Sequence, residues 1–161
     1  ARAVGEKLRA DGWRGLFGID VIVEAKTRKL HLLEINARQP ASAAYESKLQ
    51  SDRQTVRPSD RQTVTTFEAH LLALLGYDLS EYELIEIEDG AQIIQRVTKT
   101  IQQYDNTTIQ QLEQHNFTVI PYPNTTDGSE LLRIQSERGI METHGELNED
   151  GLLIAKKLEN F

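Results

Sequence analysis

The chain has 161 residues, a formal net charge of −7 and a sequence pI near 5.1. This length suits one ordinary domain or two small ones, and the acidic balance argues against a nucleic-acid partner, which would need a basic surface. The absence of cysteine excludes disulfides, thiolate metal sites and a cysteine nucleophile. No apolar run predicts a membrane span, no secretion leader opens the sequence, and these features together suit a cytoplasmic protein.

The first element is a short amphipathic helix that carries Val4 and Leu8 and stops at Gly12. The sequence opens on Ala1, directly inside this helical pattern. We therefore interpret the chain as a piece of a longer polypeptide.

A β-hairpin is predicted over residues 16–38. Two runs rich in Val, Ile and Leu, Ile19–Glu24 and Leu30–Asn36, flank a polar segment at residues 26–29. If the hairpin folds about Thr27, Asp20 lies opposite Glu34 and Gly18 lies opposite Asn36. Side chains alternate along a strand, so these positions share one face.

Asp20, Glu34 and Asn36 form the candidate metal site. Like charges directly opposed across strands are destabilising, whereas carboxylate and amide oxygens suit a hard divalent cation. A purely structural interpretation remains open: Asp20 as an edge-strand charge, and Glu34 as the ion-pair partner of Arg38 or Arg14.

These residues resemble the metal-binding half of the nucleotide site in the ATP-grasp ligases, over residues 3–76. The resemblance rests on Asp20 in the sequence GID and on Glu34 and Asn36 in LEINARQPAS. It implies that Asp20, Glu34 and Asn36 hold Mg²⁺ (or Mn²⁺) ions bridging the phosphates of ATP. Arg38 matches the basic position that faces the γ-phosphate or the acceptor substrate, which makes it a candidate catalytic and nucleotide-binding residue. Ile22 is a candidate apolar floor for the adenine, with core packing as the alternative.

The resemblance also implies the chemistry of a longer parent enzyme. Such a ligase activates a small-molecule carboxylate as an acyl phosphate, which an amine or similar nucleophile then attacks. The N-terminal half of the same polypeptide would complete the ATP site, so this chain alone is expected to be inactive, and a homodimer is left open. Gly18 stands where ligases of the D-alanine type often carry Arg. The alternatives are an ATP-grasp carboxylase acting on bicarbonate and a non-catalytic module that binds a cation or a partner protein.

The segment after the hairpin begins with a turn at Pro40 and a short helix. A polar loop is predicted over residues 50–64, where SDRQTV occurs at 51–56 and again at 59–64, either as a tolerated duplication or as a lid. A helix that starts at Thr65 or Thr66 and ends at Gly76 is expected to pack its apolar face on the hairpin. His70 is interpreted as a surface or packing residue of this helix.

Residues 81–161 are predicted to form a small β-rich accessory module. A hairpin about the Asp89-Gly90 turn, a short helix capped by Thr107 or Thr108, further strands and a final helix capped by Asn148 follow in order. His115 and His144, with the acids near His144, match no zinc spacing. The predicted class is α+β: the C-terminal half of an ATP-grasp domain, an antiparallel sheet with helices, in residues 1–80, followed by this module.

Overall fold

The computed structural model describes residues 1–52, 62–143 and 145–159. These residues form five helices and nine strands arranged in small, mostly antiparallel sheets, which confirms the α+β class. The chain divides into two compact units, an N-terminal unit (Ala1–Glu86) and a C-terminal unit (Ile87–Phe161). The division lies a few residues beyond the predicted boundary between residues 80 and 81.

The N-terminal unit contains three helices and four strands among its described residues. In chain order they are α1 (Arg2–Ala10), β1 (Gly18–Val23), β2 (Leu30–Asn36), α2 (Ala43–Asp52), β3 (Gln62–Val64), α3 (Thr66–Leu74) and β4 (Tyr82–Leu84). Strands β1 and β2 form an antiparallel hairpin, while β3 and β4 form a separate parallel pair. The predicted polar loop is therefore helical at residues 50–52 and extended at residues 62–64. The rest of it, residues 53–61, lies outside the described residues.

Helix α3 is capped by Thr65, one of the two residues that the sequence predicted, and the cap is a capping box. The Thr65 side chain accepts a hydrogen bond from the backbone N–H of Glu68, and the Glu68 carboxylate accepts one from the backbone N–H of Thr65. The helix packs on α2. The prediction that its apolar face packs on the hairpin is wrong, because Phe67, Leu71 and Leu74 are exposed and the buried residues are Thr66 and His70.

The predicted hairpin about Asp89-Gly90 is also wrong. Residues 82–84 pair instead with β3, and the Ile85 N–H extends this pairing by donating to the Val64 carbonyl at 3.0 Å. The backbone after Gly90 joins the sheet of the C-terminal unit. Each strand thus finds a partner that is distant in sequence, which a local turn signal does not encode.

The C-terminal unit has a three-stranded antiparallel sheet in the order β5-β7-β6 and a short hairpin of β8 and β9. Residues Leu112, Phe117, Leu132, Ile134 and Ile154 belong to its buried core. Its elements are β5 (Ala91–Arg96), α4 (Asn106–Glu113), β6 (Thr118–Pro121), β7 (Glu130–Ser136), β8 (Met141–Thr143), β9 (Glu146–Leu147) and α5 (Glu149–Glu159).

The helix caps of this unit confirm one prediction and correct another. Asn148 caps α5, because its Oδ1 accepts a hydrogen bond from the Gly151 N–H at 3.0 Å. Helix α4 is capped by Asp105 rather than by Thr107 or Thr108. The Asp105 carboxylate accepts from the Thr108 N–H at 2.8 Å, and Asp is among the preferred N-cap residues.

Candidate functional site

The open end of the β1–β2 hairpin has the predicted register. Gly18 pairs with Asn36 and Asp20 pairs with Glu34. Directly paired residues project from the same face of a two-stranded sheet. The two carboxylates therefore lie opposite each other, with Asn36 one pair further along.

The register changes by one residue between this end and the turn. Val21 pairs with Leu32 and Ile22 pairs with His31, so Leu33 is left without a partner on β1. Beyond such a bulge, the side chains of β2 lie on the face opposite to the one that an unbroken register would give them. As a result His31, which an unbroken register would place on the opposite face, joins Ile22 on the face of Asp20.

Asn36 is drawn to the carboxylate of Asp20. Its Nδ2 donates a hydrogen bond to Asp20 Oδ2 at 3.4 Å. Asp20 and Glu34 are exposed. Within residues 1–52, 62–143 and 145–159, neither carboxylate forms an ion pair with a Lys, Arg or His side chain. The alternative in which Glu34 pairs with Arg38 or Arg14 is therefore not what the structure shows.

Ile22 and Arg38, the other two predicted site residues, flank this group of oxygens. Ile22 is 53% exposed on the same strand as Asp20. Arg38 follows β2, and its backbone N–H donates to the Asn36 carbonyl at 2.8 Å while its side chain is exposed. Their roles at an adenine and at a phosphate stay predictions.

The opposite face of the hairpin is apolar and open. On this face Leu32 and Ile35 are 50% and 43% exposed, and Leu33 at the bulge is 62% exposed. A two-stranded sheet has no second layer of its own, so neither face is covered by the hairpin itself. The apolar residues of this face are Ile19, Val21, Val23, Leu30, Leu32 and Ile35.

His70 was interpreted from the sequence as a surface or packing residue, and the structure gives it a more specific position. It is 9% exposed, and its Nδ1 accepts a hydrogen bond from the Leu16 N–H at 3.0 Å. Gly15 makes this approach achievable, because its φ is +96° and a Cβ there would lie 2.5 Å from Nδ1. Only Gly15, three residues before β1, could have suggested this contact from the sequence.

Other candidate centres find no support in the described part of the chain. No group of three or more His, Cys, Asp or Glu side chains there is placed to hold a metal ion. His115, two residues past the end of α4, contacts the carbonyl of Gln111 in that helix at 2.8 Å, and His144 lies outside the described residues. Within the same described ranges, the helices are too short or too polar to traverse a bilayer.

Comparison with known proteins gives one structural likeness. No protein-family model matches the chain, and no curated protein sequence matches it. The chain is similar in structure to the carboxyaminoimidazole ribonucleotide synthase of Aspergillus clavatus, crystallised with ATP, with a TM-score of 0.45 and 14% sequence identity. The match covers 99% of this chain and 38% of that chain, so this chain spans well under half of its length.

At this TM-score the likeness carries no argument about chemistry. The function proposed next is supported by the hairpin residues and their contacts alone.

Proposed function

We propose that the face of the hairpin bearing Asp20, Glu34 and Asn36 binds one or two Mg²⁺ (or Mn²⁺) ions together with the phosphates of ATP. The chain would thereby form the metal-holding part of an ATP-grasp ligase. The observation that carries the proposal is the direct opposition of Asp20 and Glu34, with Asn36 in contact and no protein cation beside either carboxylate in the described residues.

The donor set fits a hard divalent cation. Two carboxylates and a carboxamide offer oxygen ligands on one exposed face, and Mg²⁺ usually takes one or two protein carboxylates together with phosphate oxygens and water. The Asn36 amide presents its NH₂ group to Asp20 here. Its oxygen is the other end of the same planar group, and rotation about the Cβ–Cγ bond exchanges the two.

Each residue then has a separate task. When bound, Mg²⁺ would neutralise the negative charge that develops on phosphate oxygens during phosphoryl transfer. Asp20 and Glu34 would coordinate the metal ion and so fix its position on the hairpin. Arg38, just beyond β2, offers a planar guanidinium whose paired N–H groups match phosphate oxygens. Ile22 adds an apolar surface on the same face.

The reaction class follows from the resemblance and is part of the proposal. A small-molecule carboxylate would take the γ-phosphoryl group of ATP, and an amine would then displace phosphate from the resulting acyl phosphate. The chain alone is expected to bind Mg²⁺–ATP weakly and to show no turnover, because its candidate residues hold the metal and phosphates and offer only Ile22 to the adenine.

The test uses the substitution Glu34→Gln in the 161-residue chain. This substitution removes one negative charge and keeps the size of the side chain. We expect Mn²⁺ in the presence of ATP to broaden the amide resonances of residues 18–20 and 34–36 selectively. The variant should require at least about 10-fold more Mn²⁺ for the same broadening, because ligand charge sets the affinity of such sites. Glu6→Gln in α1 makes the same change in net charge away from the hairpin and should leave the titration unchanged.

Stability measured on the same variant separates a metal site from a structural ion pair. Without metal the two carboxylates repel, so Glu34→Gln should leave the free energy of unfolding unchanged or raise it by up to about 1 kcal/mol. A lower melting temperature together with unchanged Mn²⁺ broadening would contradict the proposal. Equal effects of Glu34→Gln and Glu6→Gln on broadening would contradict it as well, since they would indicate only a general charge effect.

A further inference from the structure

A cleft in the N-terminal unit lies apart from the hairpin face and uses other side chains. It has a volume of about 400 Å³ and is lined by residues of α3, β3, β4 and the loop before β1. Ligand pockets in proteins commonly have volumes of about 300–1,000 Å³, with apolar walls and a few placed polar groups. Its lining residues include Leu16, Val64, Ala69, His70, Tyr82 and Leu84.

His70 is the polar group that the fold places at this cleft. The Leu16 N–H donates to Nδ1, so Nδ1 carries a lone pair, and the proton of the neutral ring is then on Nε2. Within the described residues no protein group accepts a hydrogen bond from Nε2, although the residue is 9% exposed. Nε2 is not among the enclosed polar atoms that lack a partner, so it retains some accessible surface, and His70 lines the cleft.

The position of this donor is fixed by the backbone around it. Gly15 has a φ of +96°, and a Cβ at this position would lie 2.5 Å from Nδ1 and 2.8 Å from Cε1 of His70. The absence of a side chain at Gly15 therefore allows the loop to hold the imidazole through the Leu16 N–H. The ring is fixed at one nitrogen and is left with a donor at the other.

The residues that line the cleft determine which kind of ligand it can bind. Apart from His70 and Tyr82, the described residues that line the cleft are aliphatic or glycine, and none of them is Lys or Arg. An anion would lose its hydration without gaining a cationic partner, which is costly. A neutral carbonyl oxygen needs only one hydrogen-bond donor, and Nε2–H supplies it.

We infer that this cleft binds a compact, neutral, mainly apolar molecule through one carbonyl oxygen, which accepts a hydrogen bond from His70 Nε2–H. The site is separate from the hairpin face, so it does not depend on the proposed metal site.

The test titrates the 161-residue chain with cyclohexanone and with methylenecyclohexane, which replaces the carbonyl oxygen with a CH₂ group of similar size. We expect saturable shifts of the Leu16 amide and His70 ring resonances. Cyclohexanone should bind about 3- to 10-fold more tightly, the net effect of one hydrogen bond. Equal affinities for the two probes, no saturable shift, or tighter binding of cyclohexanecarboxylate than of cyclohexanone would overturn the inference.

Three variants assign the effect to His70. His70→Asn keeps an oxygen where Nδ1 accepts from Leu16 but has no donor at the position of Nε2, so the preference for cyclohexanone should disappear. Tyr82→Phe removes the other side-chain donor on the lining and should leave the preference intact. Ala69→Leu fills the cleft without changing His70, so both probes should lose binding. A preference that survives in His70→Asn, or binding that survives in Ala69→Leu, would overturn the inference even if the other variants behave as expected.

Discussion

Asp20 and Glu34 face each other at a position where a sheet normally places attractive or apolar pairs. Like charges directly opposed across two strands destabilise the pairing, and a two-stranded hairpin has little stability to spare. Asn36 relieves part of this cost by donating to Asp20. The remaining repulsion is what a bound cation would remove, which connects the local energetics of the hairpin to its proposed ligand.

Tyr104 gives a prediction that concerns one titrating group. Burial raises the pKa of Tyr104 from 10.0 to about 12, and its ring packs on the core of the C-terminal unit. Because the folded pKa lies above the unfolded pKa, the contribution of the neutral phenol to stability is present in full below pH 10. It is lost as the pH rises through about 12.

The melting temperature should therefore fall between pH 10 and pH 12, and Tyr104→Phe should reduce that fall. The measurement is thermal unfolding by circular dichroism across this pH range. Tyr122→Phe serves as the matched control, and its melting temperature should fall between pH 10 and pH 12 as much as that of the unaltered chain. An equal reduction by both variants would show that Tyr104 is not the group responsible.

At the scale of elements, the hairpin and the cap of α3 were predictable from sequence because both depend on local chemistry. Alternating side chains placed Asp20 opposite Glu34, and the two threonines before an apolar helical pattern placed the helix start at Thr65 or Thr66. The bulge at Leu33 was not predictable, since two adjacent leucines fit either face equally well. The oxygens of the candidate site were therefore correctly grouped, whereas His31 was missed.

Pairings between distant segments were the part that the sequence did not predict. Strand β4 pairs with β3 rather than with the strand after Asp89-Gly90, and a turn dipeptide carries no information about such partners. The apolar stripe of α3 suggested burial, but Leu71 and Leu74 are exposed. Hydrophobic periodicity identifies a helix and its apolar face without identifying what covers that face.

The capping box of α3 gives a prediction at this scale. Thr65 is 5% exposed and its side chain accepts from the Glu68 N–H at 3.3 Å, so Thr65→Ala removes this acceptor. We expect the free energy of unfolding to fall by about 0.5–2 kcal/mol, the usual cost of losing an N-cap. Urea denaturation measures it, and Thr63→Ala on the exposed side of β3 is the control. If Thr65→Ala lowers the free energy of unfolding by no more than Thr63→Ala does, the cap contributes nothing to stability.

At the scale of the whole molecule, apolar burial is distributed unevenly. The C-terminal unit encloses a contiguous core that includes Leu112, Leu132 and Ile134, all with exposures of 1% or less. In the N-terminal unit many large apolar side chains remain exposed, among them Leu30 and Leu75 at 65% and 74%. Stability from burial scales with the apolar area removed from water, so the C-terminal unit should be the more stable of the two.

This difference predicts two separable unfolding transitions in the 161-residue chain, with the N-terminal unit melting first. Ile134→Ala should cost about 2–5 kcal/mol and shift only the later transition, because truncating a core side chain leaves a cavity. Leu49→Ala, at a 4% exposed position of α2, should shift only the earlier one. Calorimetry measures both transitions. A single transition that both variants shift equally would contradict this prediction. It would show that the two units unfold together, so that the exposed apolar surface of the N-terminal unit does not give that unit a lower stability of its own.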